Sequence, residues 1–231
     1  MKKLHFILIG LLFCSLFSAA QTNYQLGESI EFYRSTKMRS GEWNQTLTSK
    51  DIEGSPYLND EFINGTVFTT SKLQYQNIPL RYNIFNDDME FRTPDNQVMA
   101  IAAPEIIESV EFGEFKMKYL PYSAAKKIRR GFFKELVNGK VSLYAKPNIL
   151  YTEPQKPAPY KEAQPAKFTN KPDFYYIREG TESAQKIDNK NVLIQFFPDH
   201  QKEVAAFVKK NKIKHNKEED LTELINYYNS L

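Results

Sequence analysis

Val110-Glu111-Phe112-Gly113-Glu114-Phe115-Lys116-Met117-Lys118-Tyr119 is the stretch whose reading decides the fold. Apolar side chains recur at every second position on either side of Gly113: Val110 and Phe112 before it, Phe115, Met117 and Tyr119 after it. A period of two alternates side chains between the faces of an extended chain, so each run reads as a half-buried strand. The glycine breaks the phase, and a turn or bulge there restores it. The same spacing governs the sequence from Ser55 to Tyr144. Leu80, Tyr82 and Ile84 share one face, Arg81 and Asn83 the other. Asn64-Gly65 stands between Phe62-Ile63 and Thr66-Val67-Phe68, and Asn138-Gly139 between Leu136-Val137 and Val141-Ser142-Leu143. Both dipeptides suit a type I′ hairpin turn, which needs positive φ at its two central residues. A third reversal is expected at Asn86-Asp87-Asp88, before Met89-Glu90-Phe91.

The pattern changes beyond Lys146. Six of the twelve prolines, Pro147, Pro154, Pro157, Pro159, Pro165 and Pro172, fall in residues 147–172. Proline lacks an amide hydrogen and fixes φ, so this segment reads as an extended, irregular crossing, partly docked through Ile149, Leu150, Tyr151 and Phe168. Phe174-Tyr175-Tyr176-Ile177 then reads as a strand ending at Gly180. From Asn189 the period lengthens to about 3.6 residues, the spacing of a helix face. Asn189 is placed to cap a helix running through Phe197, Pro198 ends it, and Asp199 is placed to cap the next, with Val204, Ala205, Phe207 and Val208 on one face. A last helix begins at Asn216 or Lys217. It gathers Glu218, Glu219 and Asp220 in its first turn, where the helix dipole favours anions, and buries Leu221, Leu224, Ile225 and Tyr228. The fold class is α+β: an antiparallel β-rich body over 55–146, a curved sheet or small open barrel, a proline-rich crossing over 147–172, and a strand plus small helical region over 173–231.

Upstream, residues 1–20 have the order of an export signal: Lys2-Lys3, the apolar run Leu4 to Phe17, then Ser18-Ala19-Ala20. Cleavage after Ala20 leaves Gln21 first, and the apolar run is short for a membrane span. Residues 21–54 are polar, with one strand expected near 29–33. The only cysteine, Cys14, lies inside the signal, so the mature chain offers neither a disulfide framework nor thiol chemistry. Lys2 and Lys3 also account for most of the formal charge of +3, from 31 basic and 28 acidic residues. The mature chain is therefore nearly neutral and lacks a transmembrane segment.

Motifs for catalysis are sparse. Beyond the signal the histidines are His200 and His215, both on the helical region and outside any ligand-spaced motif, so neither a zinc site nor a Ser-His-Asp triad is expected. The nine glycines are dispersed and form no phosphate-cradling loop, and no cofactor is expected. Carboxylates are the remaining enzymatic candidates: Asp87, Asp88 and Glu90 at a turn, and Glu105, Glu108, Glu111 and Glu114 at intervals of three. A glycan or peptide hydrolase needs two such acids facing each other. Carboxylates at turns and on the wet face of strands ordinarily serve local hydrogen bonding and solvation.

The strongest charge feature is basic. Lys126, Lys127, Arg129, Arg130, Lys134, Lys140 and Lys146 are opposed by Glu135 alone between Tyr122 and Lys146. In an exported protein such a patch suits an anionic lipid, lipopolysaccharide or an acidic partner protein, and not nucleic acid. The aromatic residues, 14% of the chain, are nearly all Phe and Tyr. Tyr57, Tyr75, Tyr82 and Tyr119 fall on strands, where a tyrosine either covers the sheet or lines a groove. The candidate binding residues are thus Lys126, Lys127, Arg129, Arg130, Tyr82 and Tyr119.

Three stretches, Gly54-Ser55-Pro56-Tyr57-Leu58-Asn59-Asp60-Glu61-Phe62, Ile78-Pro79-Leu80-Arg81-Tyr82-Asn83 and Asn226-Tyr227-Tyr228-Asn229, together with the signal, resemble an uncharacterised family of exported proteins from Bacteroidota-type bacteria. The resemblance covers most of the mature chain and implies an envelope location. It implies no activity, cofactor or catalytic residue. The expectation is a non-enzymatic envelope protein that binds a partner or envelope component. The alternatives are an Asp/Glu-dependent hydrolase and a structural subunit beside an outer-membrane complex.

Overall fold

Among the described residues, alternation of period two produces eleven strands in one open sheet. They are β1 (Ile52–Glu53), β2 (Ile63–Thr69), β3 (Gln74–Asn83), β4 (Asp88–Arg92), β5 (Val98–Ala100), β6 (Ile107–Phe112), β7 (Phe115–Ala124), β8 (Lys127–Val137), β9 (Val141–Thr152), β10 (Ala166–Glu179) and β11 (Gln185–Lys186). The structure is a computed structural model and describes residues 52–125, 127–157, 159 and 162–231. The export signal, the polar segment through Asp51 with its expected strand, and Lys126 lie outside the described residues. Strand order is β1-β10-β9-β8-β7-β6-β2-β3-β4-β5, with β11 against β10. All pairs are antiparallel except β1 with β10.

The stretch around Gly113 is a tight hairpin. Phe112 stands opposite Phe115, and Gly113 supplies the positive φ, 57°. The reversal before Met89 is present too, with Asp87 at φ 58°. At Asn64-Gly65 the structure corrects the reading, because β2 runs straight through the dipeptide. Gly65 lies between two neighbours, opposite Ile78 of β3 and Phe112 of β6. A Cβ there would stand 2.7 Å from Phe112 Cβ and 2.9 Å from Leu80 Cδ1. The glycine answers crowding inside the sheet, and the reversal comes later, between Thr69 and Gln74, with Lys72 at φ 66°. Asn138-Gly139 does join β8 to β9, but neither residue has positive φ, so the turn is not type I′.

The proline-rich stretch is less irregular than its composition predicts. Its ends are strand: β9 continues to Thr152 and β10 begins at Ala166, paired from Lys167 opposite Thr152. Pro147 and Pro172 face each other at the register shift between Lys171 and Phe174, where ladder hydrogen bonds are already interrupted and a missing N–H is harmless.

Three helices follow: α1 (Lys190–Gln195), α2 (Gln201–Lys210) and α3 (Glu218–Asn229). Asn189 caps α1, its side chain accepting from the N–H groups of Asn191 and Val192 at 2.9 and 3.0 Å. The helix ends at Gln195, short of Phe197. Asp199 does not cap α2; His200 holds that position, and Asp199 instead accepts from Tyr228 Oη at 3.0 Å and Lys140 Nζ at 3.1 Å. The stripe Leu221, Leu224, Ile225 and Tyr228 is buried against Val141, Leu143 and Ile177 of the sheet. A separate core built on Leu80, Tyr82, Phe91, Phe112 and Phe132 fills the curve of β2–β8.

The sheet divides between β8 and β9. β8 pairs with β7 from Lys127 to Lys134, but with β9 only at Lys134, Glu135 and Val137. Past that point β9 stays with β10, and β7 and β8 continue as an arm whose β7 side is bonded to Ala184, just before β11. The β3–β4 turn enters the gap, with Phe85 against Tyr151 and Phe168 at ring separations of 5.7 and 5.3 Å.

Candidate functional site

The gap between β8 and β9 collects the polar groups nearest the predicted binding residues. Asp87, at the tip of the β3–β4 turn, accepts three hydrogen bonds. The donors are Tyr82 Oη at 2.7 Å, the Phe132 backbone N–H at 3.0 Å and Lys146 Nζ at 2.8 Å. Lys146 Nζ also donates to the Phe132 carbonyl at 3.2 Å and stands 4.7 Å from the centre of the Phe133 ring. Where β9 has left, Asp87 and Lys146 thus replace the strand that would have bonded Phe132. Gly131 permits this approach, since a Cβ there would stand 2.8 Å from Lys146 Nζ and closer still to Asp87.

The electrostatics of this cluster follow from burial. Only 16% of the Lys146 side chain is exposed, and loss of solvent pushes its ammonium below its usual range against the pull of Asp87. Tyr82 is fully buried; burial and then the Asp87 charge push its phenol well above the usual value. Tyr119 and Tyr122, half-buried, are pushed up chiefly by burial as well. The phenols therefore stay protonated and serve as donors or ring surfaces.

Of the predicted binding residues, Tyr82 is a core residue, edge-on to Phe132, and presents nothing to solvent. Tyr119 lies on the same Phe132 ring at 5.0 Å, and Arg130 extends over the Tyr119 ring at 5.6 Å. The structure therefore brings Tyr119 and Arg130 together on the arm and leaves Tyr82 behind them. Lys127, Ile128, Arg129 and Arg130 are all exposed, Ile128 by 70%. Among the described residues none of the three cations on this run is in an ion pair, whereas Lys134 binds Asp173 at 2.6 Å and Lys140 binds Asp199. The basic run thus separates into paired lysines in the body and unpaired cations on the arm.

Glu90, Glu108 and Glu111, read as candidate catalytic acids, are held in ion pairs. Glu90, 8% exposed, binds Arg81 at 2.8 Å and accepts from Asn83 Nδ2 at 3.2 Å. Glu108 pairs with Lys72 at 2.7 Å and Glu111 with Lys116 at 3.1 Å. A hollow of about 430 Å³ beside the β10 bulge is lined by Lys171, Asp173, Phe174, Lys186 and His215, but Asp173 and Lys186 are already paired, with Lys134 and Asp188.

Residues 54–62, 78–83 and 226–229 take part in two structural clasps. Arg81 is clasped between the Tyr57 and Phe62 rings at 3.5 and 4.3 Å and donates to the Asp60 carbonyl at 3.1 Å. Asn229 brackets Val141, accepting from its N–H at 3.0 Å and donating to its carbonyl at 2.8 Å. Both clasps join residues far apart in the chain, which is why neither could be read from local pattern. Comparison with protein-family models, with curated proteins and with solved structures found no match.

Proposed function

We propose that this chain is an exported, non-enzymatic protein of the bacterial envelope that binds an anionic partner or envelope component through the β7–β8 arm. The observation that carries the reading is the set of exposed cations, Lys127, Arg129 and Arg130, with no ion pair among the described residues, around an exposed Ile128. Cations held in this way remain available to an anion, and the apolar side chain among them adds contact area that water leaves readily. The charged, apolar, small order of residues 1–20 and the family resemblance support export and an envelope location. Hydrolysis by Asp88 and Glu90 is the weaker reading, because Glu90 is neutralised by Arg81.

The test is capture from detergent-solubilised envelope of the native host, using the mature protein and a triple variant, Lys127→Glu, Arg129→Glu and Arg130→Glu. Wild type retains its partner and the variant loses it. Equal capture by both would show that the arm is not the binding surface.

A further inference from the structure

We propose that the outer edge of β8, at Ile128 and Arg130, docks an extended acidic peptide that joins the sheet as an added strand. This rests on the binding role assigned to the basic arm and names the chemistry of its partner. Backbone N–H and C=O groups point alternately to the two sides of a strand. Contacts on both strands of the arm fix which residues point which way. Phe132 directs its N–H to Asp87 and its carbonyl to Lys146, so both groups turn away from β7. On β7, the Pro121 carbonyl accepts from the Ala184 N–H at 2.9 Å and the Ser123 N–H donates to the Ala184 carbonyl at 3.0 Å, so these turn away from β8. Tyr119, Pro121 and Ser123 stand opposite Phe132, Arg130 and Ile128. These three cross-strand pairs therefore exchange no hydrogen bonds with each other. Ile128 and Arg130, like Phe132, turn N–H and C=O to the side that β9 has left.

At Phe132 that side is closed by Asp87 and Lys146. At Ile128 and Arg130 the backbone groups have no partner among the described residues, and the side chains around them are exposed. The open edge from Lys127 to Arg130 is about 14 Å long, room for a partner strand of four residues. An unpaired edge is a template for strand addition, and cations along it repel a like edge from a second copy of this chain. The same cations attract a strand carrying Asp or Glu opposite Lys127 and Arg129, which share one face, with an apolar residue opposite Ile128 on the other. An anionic lipid surface would use the charges and Ile128 but leave the outward N–H groups unused.

The experiment is fluorescence anisotropy of the purified protein with labelled ten-residue peptides of alternating Glu and Val, alternating Lys and Val, and the Glu-Val peptide N-methylated at its four central residues. The Glu-Val peptide binds; the Lys-Val peptide does not. N-methylation, which keeps every charge and removes the peptide's central N–H donors, weakens binding at least tenfold. Ile128→Pro, which removes one outward N–H and no charge, and Arg129→Glu with Arg130→Glu each weaken it by a similar factor. The N-methylated peptide tests the hydrogen bonds without altering the protein. Equal binding of the N-methylated peptide, no binding of the Glu-Val peptide, or binding only to phosphatidylglycerol vesicles would each overturn the proposal. In the envelope capture, a partner lost on charge reversal but kept by Ile128→Pro would leave the arm's binding role standing while removing strand addition. Indifference to charge reversal would remove the binding role itself.

Discussion

Asp87 joins elements that sequence keeps well apart, with Phe132 lying 45 residues and Lys146 59 residues further along the chain. The alternation of Tyr82 and Tyr119 with polar neighbours was legible and correctly put both on strands. That Tyr82 faces the core and lends its hydroxyl to Asp87 depends on the sheet's curl, which no local pattern encodes. The buried phenols give a prediction in pH. Tyr175 and Tyr176 are raised by burial from 10.0 to about 12, and Tyr82 lies well above 10.0. A group whose value rises on folding stabilises the native state fully below its unfolded value and loses that contribution as pH climbs through the folded one. Lys146 has the opposite sign. Its lowered value adds stability as pH rises toward 10.5, the range below which the tyrosine contribution is intact. The melting temperature is therefore expected to fall steeply between pH 10 and about 12, and the part of the phenolate absorbance that is lost in Tyr82→Phe or Tyr176→Phe should appear together with unfolding. That part developing well before the loss of structure would contradict the buried, protonated assignment.

At the level of elements, hydrophobic period identified most strands and every helix, while turn chemistry was a poorer guide. Gly113 and Asn86-Asp87-Asp88 were read correctly because a period break coincided with residues that tolerate positive φ. Asn64-Gly65 carried the same local signal, yet its surroundings decided otherwise: β3 and β6 close on both sides of Gly65. The proline count misled in the same way. The prolines point to an extended, irregular, partly docked crossing, whereas both ends of the segment are regular strand and two of the prolines face each other at a bulge that tolerates them. Gly65→Ala tests the account of the central strand. A methyl group there meets Phe112 and Leu80 at distances below van der Waals contact. The substitution should destabilise by about 1–3 kcal/mol, the usual cost of overpacking, seen as a lower denaturant midpoint at unchanged slope. Unaltered stability would mean that Gly65 lies in a looser setting.

Among the described residues, three cores share the long strands, the smallest of them Leu120, Phe133, Tyr144, Tyr176 and Ala184 between β7, β8, β9 and β10. The curve of β2–β8 holds one, and the helices cover the other side of β8–β10 with Leu193, Leu221, Leu224 and Ile225 fully buried. Leu224→Ala should cost about 2–5 kcal/mol, as for other large-to-small changes in a packed interior, and its cost should appear in the melting of sheet and helices together. Separate transitions would show that the helical region folds independently of the sheet. The α+β plan was legible because each layer has its own period. The unpaired cations on the arm were legible only as a basic run; their separation from the paired lysines required knowing which carboxylates lie across the sheet.

The clasp of Asn229 on Val141 closes a loop of 88 residues, and Ile52 of β1 meets Ala166 of β10 across a still longer span. Contacts this distant give a high contact order, and folding slows as loop closure must precede the reward of pairing. A chain emerging N-terminus first could assemble the β2–β7 hairpins and then β8–β10 as they appear, but the Asn229 clasp on Val141 and the helical cover on that part of the sheet could form only once residue 229 was free. Completion of the fold would then be timed by release of the last helix, and the partly built sheet would stay exposed to chaperones until that moment.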